Sequence, residues 1–397
     1  MGPLLSVEEA LARVLEHARP GPSEEVPIGA AAGRRLAAPA PARTDLPPFP
    51  SSAMDGYAVR SADTPGVLPV AFRIAAGRTS PLALAPGSCA AISTGAVVPD
   101  GADAVVPLER VRIEGELVEI DEPVVPGAHI RVPGGDVRVG EPILGAGSLL
   151  GPAQIGALAA AGIASVSCHV RPRVAVVATG SELQQPGRPL ELGQIYESNS
   201  WLLAAALAEA GAVVERLPVV SDEEDAHRAA IARGLDHDVL VTTGGVSVGP
   251  HDLVRAVERE LGVEEVFWGV AVKPGKPLSF GVRGTTLVFG LPGNPVSALV
   301  GAVLFVRPAL EAVQGAPAPS PRYEHGVLAT ALTPSVERDE LVRARRVSRG
   351  DETVLEPISG QESHMIVRAA AADALVHVPR GDRELAVGAR VRYIPLA

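Results

Sequence analysis

The spacing of apolar positions changes character several times along the chain, and each change predicts a different element. Ser6 to His17 carries apolar residues at helical intervals, with Ser6 as N-cap and Glu9 completing a capping box. From Pro20 to Pro50 proline is frequent and apolar runs are short, which predicts an extended, strand-rich connector. Residues 67–140 read as short strands divided by Pro-Gly turns, and Gly151 to Gly162 as a small-residue helix.

After Arg171-Pro172 the pattern alternates between buried strand and amphipathic helix. Strands are predicted at Val174–Ala178, Val213–Val219, from Val239, at Val263–Trp268 and at Thr285–Phe289. Helices are predicted at Asn199–Gly211, Asp222–Leu235, Asp252–Leu261 and Pro295–Leu310. Such alternation gives a mainly parallel α/β sheet with helices on both faces. Gln314 to Arg322 is a linker of small residues and proline. From Tyr323 onward apolar and polar residues alternate, which predicts a small β barrel or sandwich.

At 397 residues the chain should hold about two to four domains. Hydrophobic residues make up 47% and aromatics only 3%, with 42 glycines and 37 prolines, so many tight turns should surround an aliphatic core. A net charge of −11 argues against a nucleic-acid or anionic-membrane surface. Any anionic ligand must then be met by local cations. Cys89 and Cys168 fit neither a metal cluster nor a disulfide framework. Two uncharged stretches, Ile143–Cys168 and Gly284–Val306, are interrupted by Gly151-Pro152 and by Pro292-Gly293-Asn294-Pro295. Each therefore reads as two elements with a turn, and a soluble, cytoplasmic protein is expected.

Ligands of parallel sheets bind at the carboxyl ends of the strands. Thr179-Gly180, Gly244-Gly245 and Gly290-Leu291-Pro292-Gly293-Asn294 all fall on that edge. A strand, a glycine turn and a helix N-terminus aim backbone N–H groups at an anion, which makes the stretch from Val239 to Asp252, including Ser247, a candidate anion cradle. Asp55, Asp136, Glu182, Asp222 and Asp252 stand near proposed turns, and carboxylates beside a phosphate-binding edge suit Mg2+. Lys273-Pro274-Gly275-Lys276-Pro277 holds two ammonium groups on a stiff loop, suited to an oxyanion or phosphate. Arg343, Arg345 and Arg346 form a second basic group, with Arg343 and Arg345 on one face by strand alternation. No Walker A loop, G-x-G-x-x-G or H-E-x-x-H occurs, and the nine histidines show no metal spacing.

Several motifs together carry a resemblance: Pro47-Pro48-Phe49 with Ser52–Arg60, Ser93-Thr94-Gly95, Gly101–Val106, Thr179–Leu183, Thr243–Gly249, Lys273–Pro277 and Leu291–Ala298. In this order they resemble the MoeA family of molybdopterin molybdenumtransferases, related to the C-terminal domain of gephyrin, from about Ser6 to the C-terminus. The resemblance implies a multidomain fold. Residues 1–45 with 141–170 would form an elongated connector domain and 46–140 an inserted β-rich domain. Residues 171–313 would form the α/β molybdopterin-binding domain and 322–397 a C-terminal β-barrel domain. The implied reaction inserts molybdate into adenylylated molybdopterin with Mg2+, giving molybdenum cofactor and AMP.

Carried over by motif, Asp55, Thr94, Asp136, Glu182, Asp222 and Asp252 would be catalytic, with Glu182, Asp222 and Asp252 on the metal. Thr179, Gly180, Gly244, Gly245, Ser247, Pro292, Gly293 and Asn294 would bind substrate, with Lys273, Lys276, Arg343 and Ser363 on oxyanion or phosphate. The resemblance also implies a homodimer whose cleft combines the α/β domain of one subunit with the Asp55 domain of the other. Molybdopterin adenylyltransferase and molybdoenzyme acceptors are further candidate partners. The chain departs from the family pattern at Pro50-Ser51, Ser181, Pro250-His251, Glu362 and Val367-Arg368. Two rival readings are an adenylyltransferase, against which the extra domains count, and a non-catalytic pterin-binding scaffold, against which the retained acids count.

Overall fold

The computed structural model describes residues 4–78, 82–245 and 253–396. The chain divides into two compact units, one of Met1–Glu24, Gly33–Ala37 and Cys168–Ala397, the other of Glu25–Ala32 and Ala38–Ser167.

The first unit is built on a six-stranded sheet. Its order is Val213–Arg216, Arg173–Ala178, Val239–Thr243, Thr286–Leu291, Ser279–Arg283 and Glu264–Trp268. The first four strands run parallel and the last two add antiparallel pairings. Alternate residues divide the burial between two faces. Val174, Val176, Val239 and Val241 enter one core with the helices Asn199–Glu209 and Pro295–Val313. Ala175, Val177 and Leu240 enter the other with Glu224–Gly234 and Leu253–Glu260. Because both faces are covered, these strands read as continuous apolar runs rather than alternating ones.

Three features differ from the sequence reading. Ser279–Arg283 was not foreseen as a strand; it pairs with Thr286–Leu291 from Arg283↔Thr286 onward. The expected connector over 1–45 is divided. Val7–His17, capped as predicted by reciprocal Ser6–Glu9 bonds of 2.8 and 3.1 Å, packs its Val7, Ala10 and Val14 into the α/β core instead. The closing helix runs to Val313 and is wound as a π-helix over Ala302–Val306. Pro308 has no N–H for the carbonyl four residues back, and the ladder widens in the turn before it. This helix, 19 residues long, is apolar enough to cross a membrane by length and composition, and most of it lies buried in the protein.

In the same unit the C-terminal strands Asp339–Arg349, Glu352–Pro357, Glu324–Leu328, Arg390–Pro395 and Ala374–Val378 pair in that order. The last pairs back onto the first, closing a five-stranded barrel. Val272-Lys273 adds a short parallel pairing at Asp339 and Glu340.

The second unit centres on a mixed six-stranded sheet of Ala104–Pro107, Gly56–Val59, Cys89–Ile92, Gly66–Ile74, Leu117–Ile120 and Arg112–Glu114. The predicted small-residue helix is Pro152–Ala160.

Candidate active site

The order of the parallel strands determines where a crevice can open. After Arg173–Ala178 the chain adds Val213–Arg216 on one side, then crosses back to place Val239–Thr243 on the other. The turns leaving Ala178 and Thr243 therefore part in opposite directions at a topological switch point. A cleft of about 670 Å³ lies there. Thr179, Gly180, Glu182, Asp222, Gly244, Gly245, Pro292, Gly293 and Asn294, all predicted from sequence, line it.

Gly244 shows why this turn needs glycine. Its φ is +92°, and a Cβ there would fall 2.6 Å from the Thr179 carbonyl oxygen. Neither the conformation nor the close approach admits a side chain. The Thr179 N–H donates to the Thr243 carbonyl at 3.0 Å, which extends the strand pairing into the two turns.

Ser181 and Asp222 fix one wall by reciprocal bonds. The Ser181 N–H donates to Asp222 Oδ2 at 3.1 Å, and the Asp222 N–H donates to Ser181 Oγ at 3.0 Å. Glu182 folds over Gly180, where an added Cβ would meet its carboxylate at 2.5 Å. Two carboxylates on a cleft able to admit a phosphate fit the habit of Mg2+, which keeps waters and takes one or two protein carboxylates. Among the described residues no group of three or more acidic, His or Cys side chains forms a metal cage. Asp252, the third predicted metal ligand, and Ser247 lie outside the described residues.

The basic residues turn out unequal. Lys273 pairs with Glu340 at 2.9 Å, so part of its charge is already neutralised. Lys276 is exposed, its carbonyl accepts from Val270 and Leu278, and Pro277 beside it lines the cleft. Arg343 corrects the sequence reading. Instead of meeting solvent or an oxyanion it is 1% exposed. Its guanidinium donates to the carbonyls of Gly360, Glu362 and Met365 at 2.8, 3.1 and 2.9 Å and to Gln361 Oε1 at 3.3 Å. Burial pushes its pKa below the ordinary arginine value, with Glu362 opposing that shift. Arg343 organises the 360–366 loop, whereas Arg345 is exposed. That loop brings His364 and Ile366 to the cleft, and the Ser363 carbonyl accepts the Val296 N–H at 3.1 Å.

In the second unit Asp55 and Thr94 come together. The Thr94 N–H donates to Asp55 Oδ1 at 2.9 Å, and both residues are exposed. Gly56 is dictated by packing, since a Cβ there would lie 2.0 Å from the Val106 carbonyl oxygen. Asp136 stands on a different loop, its N–H donating to the Leu46 carbonyl at 2.8 Å. The Asp55 and Asp136 loops leave one short ladder, in which Ser51 pairs with Arg131. A separate cleft of about 430 Å³, lined from 105–112 and 120–129, contains none of the predicted residues. Ion pairs of Arg110 with Glu122 and Arg112 with Asp121 lie among its lining.

Sequence reasoning missed Tyr196, Glu197, Asn199, His364 and Ile366 in the cleft wall. Glu197 and Asn199 carried a readable signal, as polar residues at the start of a predicted helix facing the switch point. Glu197 is 1% exposed and accepts from Ser200 N and Oγ at 2.7 and 2.6 Å. Arg216 donates to the same hydroxyl at 2.9 Å and stacks over Trp201. His364 and Ile366 gave none, since only the barrel's packing delivers them.

Comparison with known proteins adds to this geometry. Residues 5–162 match the model described as MoeA N-terminal region (domain I and II). Residues 175–312 match a probable molybdopterin binding domain, and 325–396 the MoeA C-terminal region (domain IV). Molybdopterin molybdenumtransferase 2 of Mycobacterium tuberculosis is 39% identical, covering 98% of both chains. The molybdopterin molybdenumtransferase of Bacillus subtilis is 33% identical, over 98% of this chain and 94% of that protein. The solved molybdopterin biosynthesis MoeA protein from Pyrococcus horikoshii OT3 superposes with a TM-score of 0.85 at 28% identity. That superposition covers 99% of this chain and 100% of the other.

Proposed function

The chain belongs to the MoeA family, as a transferase of molybdenum cofactor biosynthesis that inserts molybdenum, and we propose that it acts on adenylylated molybdopterin with Mg2+, releasing AMP. The observation that carries this reading is the switch-point cleft, where three predicted turns meet beside two carboxylates and Pro277 of the lysine loop.

Each part has a physical task. The turns at Thr179-Gly180 and Gly244-Gly245 let a bulky anionic substrate approach the backbone without a side chain intervening. Glu182 and Asp222 would hold Mg2+, which when bound supplies positive charge to phosphate oxygens. Lys276 offers its ammonium group to molybdate or phosphate on a loop stiffened by Pro274 and Pro277, so little ordering cost attends binding. Asp55 with Thr94, and Asp136, serve the same reaction, with the cleft completed in a homodimer. A cytoplasmic setting is part of this proposal, as are exchanges with an adenylyltransferase and with acceptor molybdoenzymes.

The test is to incubate the protein with adenylylated molybdopterin, Mg2+ and molybdate and to follow AMP. Molybdate-dependent AMP release is expected. AMP release that ignores molybdate, or none at all, would overturn the proposal.

A further inference from the structure

Asn199 opens the Asn199–Glu209 helix in the wall of the cleft, and the residue is 9% exposed. Its Nδ2 has two hydrogens, and both are committed. One goes to Thr243 Oγ1 at 2.8 Å and one to the Gly293 carbonyl at 2.7 Å. Thr243 Oγ1 in turn donates to the Pro292 carbonyl at 3.1 Å. A carbonyl can only accept, so the nitrogen must face Gly293 and the amide cannot be flipped. Oδ1 is thereby turned away from the Pro292-Gly293 turn. It has no donor among the described residues, is not sealed from solvent, and belongs to a residue of the cleft wall.

An amide oxygen held in this way is an acceptor waiting for a donor. Phosphate and molybdate oxygens present none at neutral pH, so Oδ1 cannot serve the anionic end of a substrate. Resting on the function proposed above, we infer that Asn199 is a substrate-recognition residue whose Oδ1 accepts an N–H from the amino-bearing heterocycle of the substrate. The same side chain keeps the Pro292-Gly293 turn in place through Nδ2. Both the pterin and the adenine of adenylylated molybdopterin carry an amino group, so either ring can supply the donor.

Binding of ring pairs that differ in the amino group distinguishes them. Calorimetry would compare pterin with lumazine, its 2-oxo counterpart, and AMP with inosine monophosphate, for the wild type and Asn199→Ala. The wild type should prefer the amino partner in one pair by roughly tenfold. That preference should collapse toward unity in Asn199→Ala, and the pair in which it does so identifies the ring. Thr243→Val, which loosens the turn but leaves Oδ1, should weaken both members of a pair equally. If Asn199→Ala does not fold, Asn199→Ser replaces it, since it keeps one donor for the turn and lacks the amide oxygen. A wild type that binds the rings while the ratio is unchanged in the Asn199 variant overturns the inference alone. A wild type that binds neither pterin nor AMP overturns it together with the proposed function.

Discussion

Replacing Arg343 by Met separates a residue that builds the cleft wall from one that binds ligand. The guanidinium makes three bonds to loop carbonyls and one to Gln361, all from a side chain 1% exposed. Methionine keeps most of the volume and removes every donor. Gln361 and Glu362 are exposed, so water can recover part of the loss, while Met365 is half-buried and its carbonyl stays poorly served. One or so buried acceptors left unsatisfied cost about 1–3 kcal/mol. At about 2–4 °C per kcal/mol for the large compact unit that contains the barrel, the thermal midpoint of that unit should fall by roughly 2–12 °C. Amide exchange over 358–366 should accelerate in the same variant, because that loop loses its central anchor. Activity should fall through His364 and Ile366, which the loop carries to the cleft. Arg343→Lys should behave nearly as badly, because one ammonium group cannot span carbonyls that a planar fork reaches. A midpoint and loop exchange equal to wild type, with only the molybdate KM raised, would refute this and return Arg343 to direct oxyanion binding.

Lys276→Ala should lower apparent molybdate or nucleotide affinity about tenfold to a hundredfold, the size of one charge-assisted contact, with an unchanged midpoint; a molybdate titration of AMP release checks it. Lys273→Ala should have the smaller effect on affinity, since Lys273 already pairs with Glu340, and equal losses in the two variants would refute that ranking. Gly244→Ala should abolish binding while the sheet stays folded, since its Cβ would meet the Thr179 carbonyl at 2.6 Å; calorimetry with AMP and circular dichroism report the two halves of that statement. Mixed Asp55→Ala and Asp252→Ala subunits should regain part of wild-type AMP release if the dimer shares its cleft, and proven exchange without recovery would exclude sharing. Burial opposes ionisation of Asp339, but the neighbouring His377 and the Arg380 N–H outweigh it and leave its pKa below the ordinary carboxylate value. A depressed pKa contributes stability above the unfolded value that is lost as pH falls through the folded one. Barrel stability should therefore decline below about pH 4, and Asp339→Asn should remove that component of an acid-melting profile.

Local chemistry was enough to predict much of this protein. Ser6 and Glu9 specify their helix start within four residues, and runs such as Val174–Ala178 and Val239–Thr243 declare buried parallel strands. Glycine turns after those strands place the cleft, because a parallel strand must end on the edge where ligands bind. Short-range rules of that kind need no knowledge of distant residues. They failed where side-chain environment depends on partners far along the chain. Strand alternation put Arg343 on one face with Arg345, yet closure of the barrel buries Arg343 under Gly360 to Met365 and leaves Arg345 exposed. Lys273 and Lys276 share one rigid loop, and only the pairing of Val272-Lys273 with Asp339 and Glu340 gives the first a counter-ion and leaves the second exposed. Asn199 signals only a polar helix start beside the switch point; its partners come from strand order, which sets it between Thr243 and Gly293, 44 and 94 residues away. Periodicity fixes which face of an element is buried. What a polar side chain meets on that face is decided by strand order and loop closure, which no local pattern encodes.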